Sequence, residues 1–446
     1  MTRLDFAAAL LPHGWARDVR VTIADGRIAS VERDLGLAGG GEGIALPPLP
    51  NLHSHAFQRG MAGLAETAAP GDDSFWTWRE VMYRFVDRLT PDDLLAIAAM
   101  AQVEMLEGGF GRVGEFHYLH HDPAGARYAD RAAMAAAIVA ACEETGIALT
   151  LLPVFYAHSG FGGGAPTPGQ RRFVHDLDGF AALLDASAAA IAALPDAGLG
   201  LAPHSLRAVT PGELAALVPL SPGPIHLHVA EQRREVEDCL AWSGARPVEW
   251  LLDHAAVDER WCLVHATHMT AEETRRLAAS GAVAGLCPIT EANLGDGLFP
   301  APAFLAADGR FGVGSDSNVL IDGYEELRWL EYGQRLAHHG RNLLGGGGAT
   351  GAALYRGALA GGAQALGAEA GIAVGASADL VAIDPDHPAL AAREGDALLD
   401  SLVFAAGRGA IAKAWRRGRL VVSDGRHVAR ETIAARYRTT LRRLLA

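Results

Sequence analysis

The chain has 446 residues, 50% of them hydrophobic, and a formal net charge of −14. That length can bury a full barrel plus a smaller domain, while no uninterrupted apolar run approaches the ~20 residues that span a membrane. The acidic balance argues against a nucleic-acid partner, because no basic surplus is left to neutralise phosphates, and an anionic substrate must then be met by locally placed arginines.

The first residues, with Arg3 and Asp5 before a short Ala-Leu run, lack the pattern of a signal peptide. Residues 1–35 alternate as strands do: Val19 to Ile23, a turn at Asp25-Gly26, then Arg27 to Val31, which is a hairpin signal. A Gly-rich connector, Gly39 to Gly43, leads to an apolar run from Ile44 to Leu49 that reads as one buried strand reaching its end at His53. Strand-like runs then alternate with helical patterns. Run two is Arg112–Tyr118, run three Ala148–Tyr156, run four Leu199–His204 and run five Ile225–Glu231. Run six is Trp261–His265, run seven Ala282–Ile289 and run eight Phe311–Asp316. Helices are expected at about 91–107 and 131–145. Strand texture returns at Ala378–Asp384, Ala412–Trp415 and Arg419–Val422, and the Arg-rich segment 430–446 has helical spacing.

Eight such units predict an α/β fold, a (β/α)8 TIM-type barrel with its chemistry at the C-terminal strand ends. The expected division is residues 1–46 and 375–429 as a small β-sandwich built from both chain ends, 47–374 as the barrel, and 430–446 as a terminal helix. The four cysteines, Cys142, Cys239, Cys262 and Cys287, have no CxxC spacing, which predicts reduced thiols and a cytoplasmic protein.

Histidine or carboxylate closes runs one, four, five, six and eight. His53 and His55 lie two apart, so on an extended backbone both imidazoles face one point. An isolated pair of this kind can be two satisfied histidines at a strand end; the later strand ends make a metal the better reading. His53, His55, His228 and Asp316 form a natural ligand set that leaves room for water. Glu231, three residues past His228, reads as an acid/base beside the metal. His265 is a second group to polarise substrate or steady the nucleophile. His226 shares a face with His228, but the spacing to Glu231 favours His228 as ligand and leaves His226 structural and deeper in the barrel. His268 lies beyond its strand end and reads as a supporting or loop residue. The chain has a single lysine, Lys413, outside all eight runs, so a carboxylated lysine cannot bridge two metals; one divalent ion, zinc by expectation, is predicted.

These motifs resemble the amidohydrolase superfamily, and most of all its mononuclear deaminase and chlorohydrolase branch. The pieces HSHAFQR at 53–59, SFWTWRE at 74–80, GEFHYLHH at 114–121, PVFYAHSGFGG at 153–163, PHSLRAV at 203–209 and HLHVAEQ at 226–232 resemble the formimidoylglutamate deiminase family. The resemblance implies hydrolysis of N-formimino-L-glutamate to N-formyl-L-glutamate and ammonia, a step of histidine breakdown. It places metal ligands at His53, His55, His228 and Asp316, catalytic residues at His204, Glu231, His265 and Asp316, and substrate contacts at Gln58, Arg79, Tyr118 and Arg207. Arg79 and Arg207, expected in loops above the barrel, suit a small dicarboxylate, because a guanidinium binds a carboxylate bidentately. The expected assembly is a homodimer with no membrane partner. The alternative is another deaminase of the same branch, acting on guanine or a related heterocycle, whose pocket needs ring contacts more than two arginines. A non-catalytic scaffold would be expected to lack ligands, and here the set is complete.

Overall fold

The computed structural model describes residues 1–36, 41–67 and 75–446. Gly39 and Gly40 of the expected connector and Ser74 of the SFWTWRE motif lie outside them. Both chain ends build one eight-stranded sheet. Its N-terminal strands are Thr2–Leu11, Gly14–Ala24, Arg27–Glu32 and Ile44–Leu46, and its C-terminal ones Leu380–Ile383, Ile411–Arg416, Arg419–Ser423 and Arg426–His427. The seam is the antiparallel pair Ile44–Leu46 with Leu380–Ile383. Asp25 and Gly26 turn the hairpin with φ of 52° and 78°, the left-handed pair that matches strand twist. Lys413 lies in this sheet, ion-paired with Glu42.

The apolar run from Ile44 to Leu49 is two strands rather than the single strand expected. Pro47 and Pro48 carry no N–H and cannot continue a ladder, so Ile44–Leu46 stays with the terminal sheet while Leu49–Ser54 opens the barrel.

The barrel strands are β1 (Leu49–Ser54), β2 (Phe110–His117), β3 (Ala148–Phe155), β4 in two pieces (Gly198–Leu199 and Ala202–Pro203), β5 (Ile225–Val229), β6 (Trp261–His265), β7 (Val283–Leu286) and β8 (Arg310–Val313). They run parallel in two arcs, β1 to β4 and β5 to β8. Isolated parallel bridges close the ring: Leu201 with Ile225 and Ser205 with His228 on one side, Ser54 with Asp316 on the other. Run seven stops short of the expected Ile289, because Pro288 opens the helix Pro288–Leu294.

The expected helices form at Pro91–Glu107 and Ala133–Thr145. Thr90 caps the first through a reciprocal box with Asp93, and Pro91 sits in its first turn, where no donor is wasted. The C-terminal helix Arg430–Leu445 docks beside it through the ion pairs Arg430–Glu107 and Arg443–Asp93. Arg59, on the 3-10 turn Ala56–Met61 that follows β1, is bidentate to Glu104 at 2.6 and 3.0 Å. The same guanidinium donates to the carbonyls of Asn318 and Val319 at 3.2 Å. The segment after the two neighbouring histidines is thereby pinned to the helix outside it and to the loop after β8.

Candidate metal centre

At the C-terminal ends of β1 and β8 the backbone exchanges two hydrogen bonds. His55 N–H donates to the Asp316 carbonyl at 2.9 Å, and Asp316 N–H donates to that of His53 at 3.0 Å. Buried amides reinforce this seam. Asn51 Oδ1 accepts from Ser315 N–H at 3.0 Å, and Asn318 Nδ2 donates to Ser54 Oγ at 3.1 Å and to the His55 carbonyl at 3.0 Å. Asn51, Ser315 and Asn318 were not singled out in the sequence. Their only signal is adjacency to the histidine pair and to Asp316.

The result is convergence. His53 Nε2 lies 3.2 Å from His55 Nε2 and 2.9 Å from His228 Nε2. Asp316 Oδ1 stands 3.3 Å from His55 Nε2 and 3.6 Å from His53 Nε2. The Nδ1 atoms of His55 and His228 donate to the carbonyls of Phe116 and His204 at 3.0 and 3.1 Å. A carbonyl can only accept, so the protons sit on Nδ1 and the Nε2 lone pairs turn toward one another. Burial holds His53 and His228 well below the usual imidazole range and takes His55 down to about 3, so all three stay neutral. A His53 proton on Nε2 can bridge only one of these lone pairs, whereas a cation between them serves both together with Asp316 Oδ1. Ligands about 2.0–2.1 Å from a tetrahedral zinc are roughly 3.3 Å apart, which fits this donor set. His265, Cys287 and Asp316 also bring donor atoms near one another. Burial raises the Cys287 thiol well above its ordinary range.

Beside the ligands, His265 Nε2 lies 3.8 Å from Glu231 Oε1 and 3.7 Å from Asp316 Oδ2, while its Nδ1 contacts Glu291 Oε1 at 3.2 Å. Burial alone would lower the His265 imidazole, but Glu231, Glu291 and Asp316 outweigh it and raise it to about 10. Burial, opposed by His265 and assisted by Glu231, pushes Asp316 up to about 7. Ala230, His265, Ala266 and Asp316 all have φ between 43° and 68°. Left-handed backbone at four non-glycine residues is strain gathered at one site. Glu291 was not anticipated; it follows Cys287-Pro288 and is aimed by the short helix that ends run seven.

The pocket over the ligands is lined by His55, Gln58, Arg79, Tyr118, His204, Arg207, His228, Glu231, His265 and Asp316, among others. Every candidate residue except buried His53 therefore reaches its surface, and His53 touches the ligand cluster from beneath. Gln58 Nε2 donates to the Tyr118 hydroxyl at 3.0 Å. The His204 ring is 5.0 Å from that of His228 and 4.6 Å from that of Tyr156. Arg79 departs from expectation: it is not in a loop but on the helix Phe75–Val86, with its guanidinium 4.5 Å from the Trp76 ring. Arg207 does lie in the turn after β4, with Nη2 3.8 Å from Glu235. The Nε atoms of both arginines are buried without a hydrogen-bond partner among the described residues. Tyr156, Phe173, Trp78 and Tyr83 complete an aromatic wall that was not anticipated. His226 lies below the site, bonded through Nε2 to the Ala365 carbonyl at 2.7 Å. The His268 carbonyl accepts from Arg246 at 2.6 Å, and its ring does not line the pocket.

Residues 44–421 match the model of the amidohydrolase family, and residues 6–43 match the N-terminal domain of the formimidoylglutamate deiminase HutF. The chain is 52% identical over 445 residues to a formimidoylglutamate deiminase of Pseudomonas aeruginosa, covering 98% of each chain. It is 29% identical over 385 residues to a 5-methylthioadenosine/S-adenosylhomocysteine deaminase of Natronomonas pharaonis, covering 82% of this chain and 78% of that one. Among solved structures, an amidohydrolase from Brucella melitensis superimposes with a TM-score of 0.96 at 52% identity over the whole of both chains. An adenosine deaminase from Xanthomonas campestris with bound zinc does so with a TM-score of 0.83 at 22% identity, over 99% of this chain and 98% of that one, a likeness of fold.

Proposed function

This chain belongs to the amidohydrolase family, and from that premise we infer a hydrolase that cleaves a C–N bond, deiminating N-formimino-L-glutamate to N-formyl-L-glutamate and ammonia. The observation that carries the substrate is one pocket holding both the imidazole–carboxylate cluster and the buried, unpartnered Nε atoms of Arg79 and Arg207. In a chain of net charge −14, two guanidiniums above a metal-type cluster suit a dianion with its reacting group at the far end.

His53, His55, His228 and Asp316 would hold one divalent ion, zinc by expectation, which when bound supplies Lewis acidity toward water and the formimino group. The chain's own groups do the rest. Arg79 and Arg207 bind the two carboxylates by charge-assisted hydrogen bonds, with Gln58 and Tyr118 bordering the reacting end. Glu231 takes a proton from the attacking water and returns it to the terminal nitrogen. His265, held from behind by Glu291, and Asp316 steady the attacking oxygen, and His204 contacts the formimino group. Water adds to the formimino carbon and its first proton reaches the terminal nitrogen through Glu231; Glu231 then takes the remaining hydroxyl proton and passes it to the same nitrogen, so that the C–N bond breaks, ammonia leaves and the C=O bond of the formyl group forms. The aromatic wall of Tyr83, Tyr118, Tyr156 and Phe173 stands between the reacting end and bulk water.

The division into residues 1–46 and 375–429, 47–374, and 430–446 follows the same reading. So do a cytoplasmic homodimer and a place in histidine breakdown. No described helix is long and apolar enough to cross a membrane, and all four cysteines are buried and free. A guanine-type deaminase is the weaker reading, since a neutral ring supplies no negative charge to balance two guanidiniums in one pocket. Ammonia release on a panel of formiminoglutamate, formiminoaspartate, guanine and cytosine decides between them: release from formiminoglutamate alone is expected, and release from guanine alone would overturn the substrate assignment.

A further inference from the structure

Glu235 lies behind the pocket wall, fully buried on the first turn of the helix Arg233–Ser243. Its Oε1 accepts from Ala230 N–H at 3.1 Å. Its Oε2 accepts from Glu231 N–H at 3.3 Å and stands 3.8 Å from Arg207 Nη2. Ala230 has a φ of 51°. In that conformation successive N–H groups form a concave nest for an anion, and the Glu235 carboxylate fills it. An alanine keeps left-handed backbone only where its surroundings over-determine it, and a buried acceptor of two adjacent donors does so. The nest sits between His228 and Glu231, so its geometry sets where the Glu231 side chain starts. A carboxylate this deep also needs a countercharge, and Arg207 is the cation beside it.

We propose that Glu235 is a positioning residue that couples the substrate-anchoring guanidinium of Arg207 to the proton-transfer residue Glu231. The inference rests on the roles given above to Arg207 and Glu231. It assigns Glu235 two separable effects: orientation of Arg207, which is felt in binding, and shaping of the turn under Glu231, which is felt in turnover. A residue that merely stabilised the helix would not divide its influence in this way.

The test uses four metal-loaded proteins: wild type, Glu235→Gln, Arg207→Met and the double variant. Each is measured for kcat and KM with N-formimino-L-glutamate, for glutarate affinity by calorimetry, and for metal content and melting temperature. Glu235→Gln is expected to lower kcat about tenfold or more and to weaken KM and glutarate binding about tenfold. In the Arg207→Met background the binding effect should vanish while the kcat effect persists. An equal binding effect in both backgrounds, or unchanged kcat and affinity, would overturn the coupling. If Glu235→Gln fails to fold, Glu235→Asp keeps the charge on a shorter arm; it should retain near wild-type affinity with reduced kcat, and lost affinity would again overturn the proposal. Glutarate has no reacting group, so its affinities decide the Arg207 coupling whether or not formiminoglutamate turns over. A wild type that binds glutarate yet releases no ammonia would count against the substrate reading alone.

Discussion

His53 and His228, brought together from β1 and β5, face one another with their Nε2 atoms 2.9 Å apart. His228 carries its proton on the opposite nitrogen, where the His204 carbonyl takes it, so no proton of its own bridges the pair. The His53 Nε2 proton is one bridge for this contact and a shared cation another; His55 Nε2 and Asp316 Oδ1 converge on the same point, which only a cation serves together, and the metal prediction follows from that convergence. One tightly held divalent ion per chain is expected by elemental analysis. His228→Ala or Asp316→Ala should reduce metal content and activity together, and chelation should lower the melting temperature of the wild type but not of these variants. Two ions per chain in active protein would sink the mononuclear assignment.

Glu231 touches the pocket but contributes no ligand atom to the four-residue cluster. Glu231→Gln keeps its shape and removes its basicity. The variant should fold and hold metal like the wild type while kcat falls ~10²–10⁴-fold. A near wild-type kcat would remove Glu231 from proton transfer.

Hydrolysis of a formimino group can expel ammonia or formamide, and a metal by itself does not choose. If Arg79 and Arg207 hold the carboxylates, the terminal nitrogen is left to face Glu231 and to leave as ammonia. N-formyl-L-glutamate should therefore be the other product by mass spectrometry. Arg207→Met should lower kcat/KM by roughly 2 kcal/mol or more, the scale of a lost charge-assisted contact, with metal content unchanged. Formamide and glutamate as main products would refute this orientation.

A second group of histidines predicts acid sensitivity. Burial lowers His117 to about 4 and His175 to about 3. His117 Nε2 and both ring nitrogens of His175 lack partners among the described residues. The unfolded chain binds protons at these sites from about pH 6.5 downward, whereas the folded chain does so only near pH 4 and 3. The proton-linked penalty of these groups is therefore absent above pH 6.5, and stability falls as pH drops toward 4. Each contributes a slope of at most about 1.4 kcal/mol per pH unit. Denaturant melts across this range should show a shallower decline in His175→Phe; an unaltered slope would contradict the assignment.

Much of the site was legible because its ligands end strands, and strand ends are marked by short-range pattern. The two-residue spacing of His53 and His55, the reach from His228 to Glu231, and Asp316 after a glycine-punctuated run are local features. So is the recurrence of eight apolar runs, which determines a barrel before any contact is known. What local pattern cannot carry is closure and support. That Pro47-Pro48 divides one apolar run between two sheets depends on a partner strand more than 300 residues away. Arg79 lies on a helix whose wall is completed by Tyr156 and Phe173 from elsewhere in the chain. Asn51 with Ser315 and Glu291 behind His265 have no spacing signature, because each acts through a buried hydrogen bond or ion pair to a residue met only on folding; Glu235 lies four residues past Glu231, but its burial and its approach to Arg207 arise only in the fold. The sequence by itself nominated the side chains that the fold gathers in one pocket. Only the tertiary structure decided which buried polar groups hold them in place, since a desolvated carboxylate or amide is stable only where its donors converge.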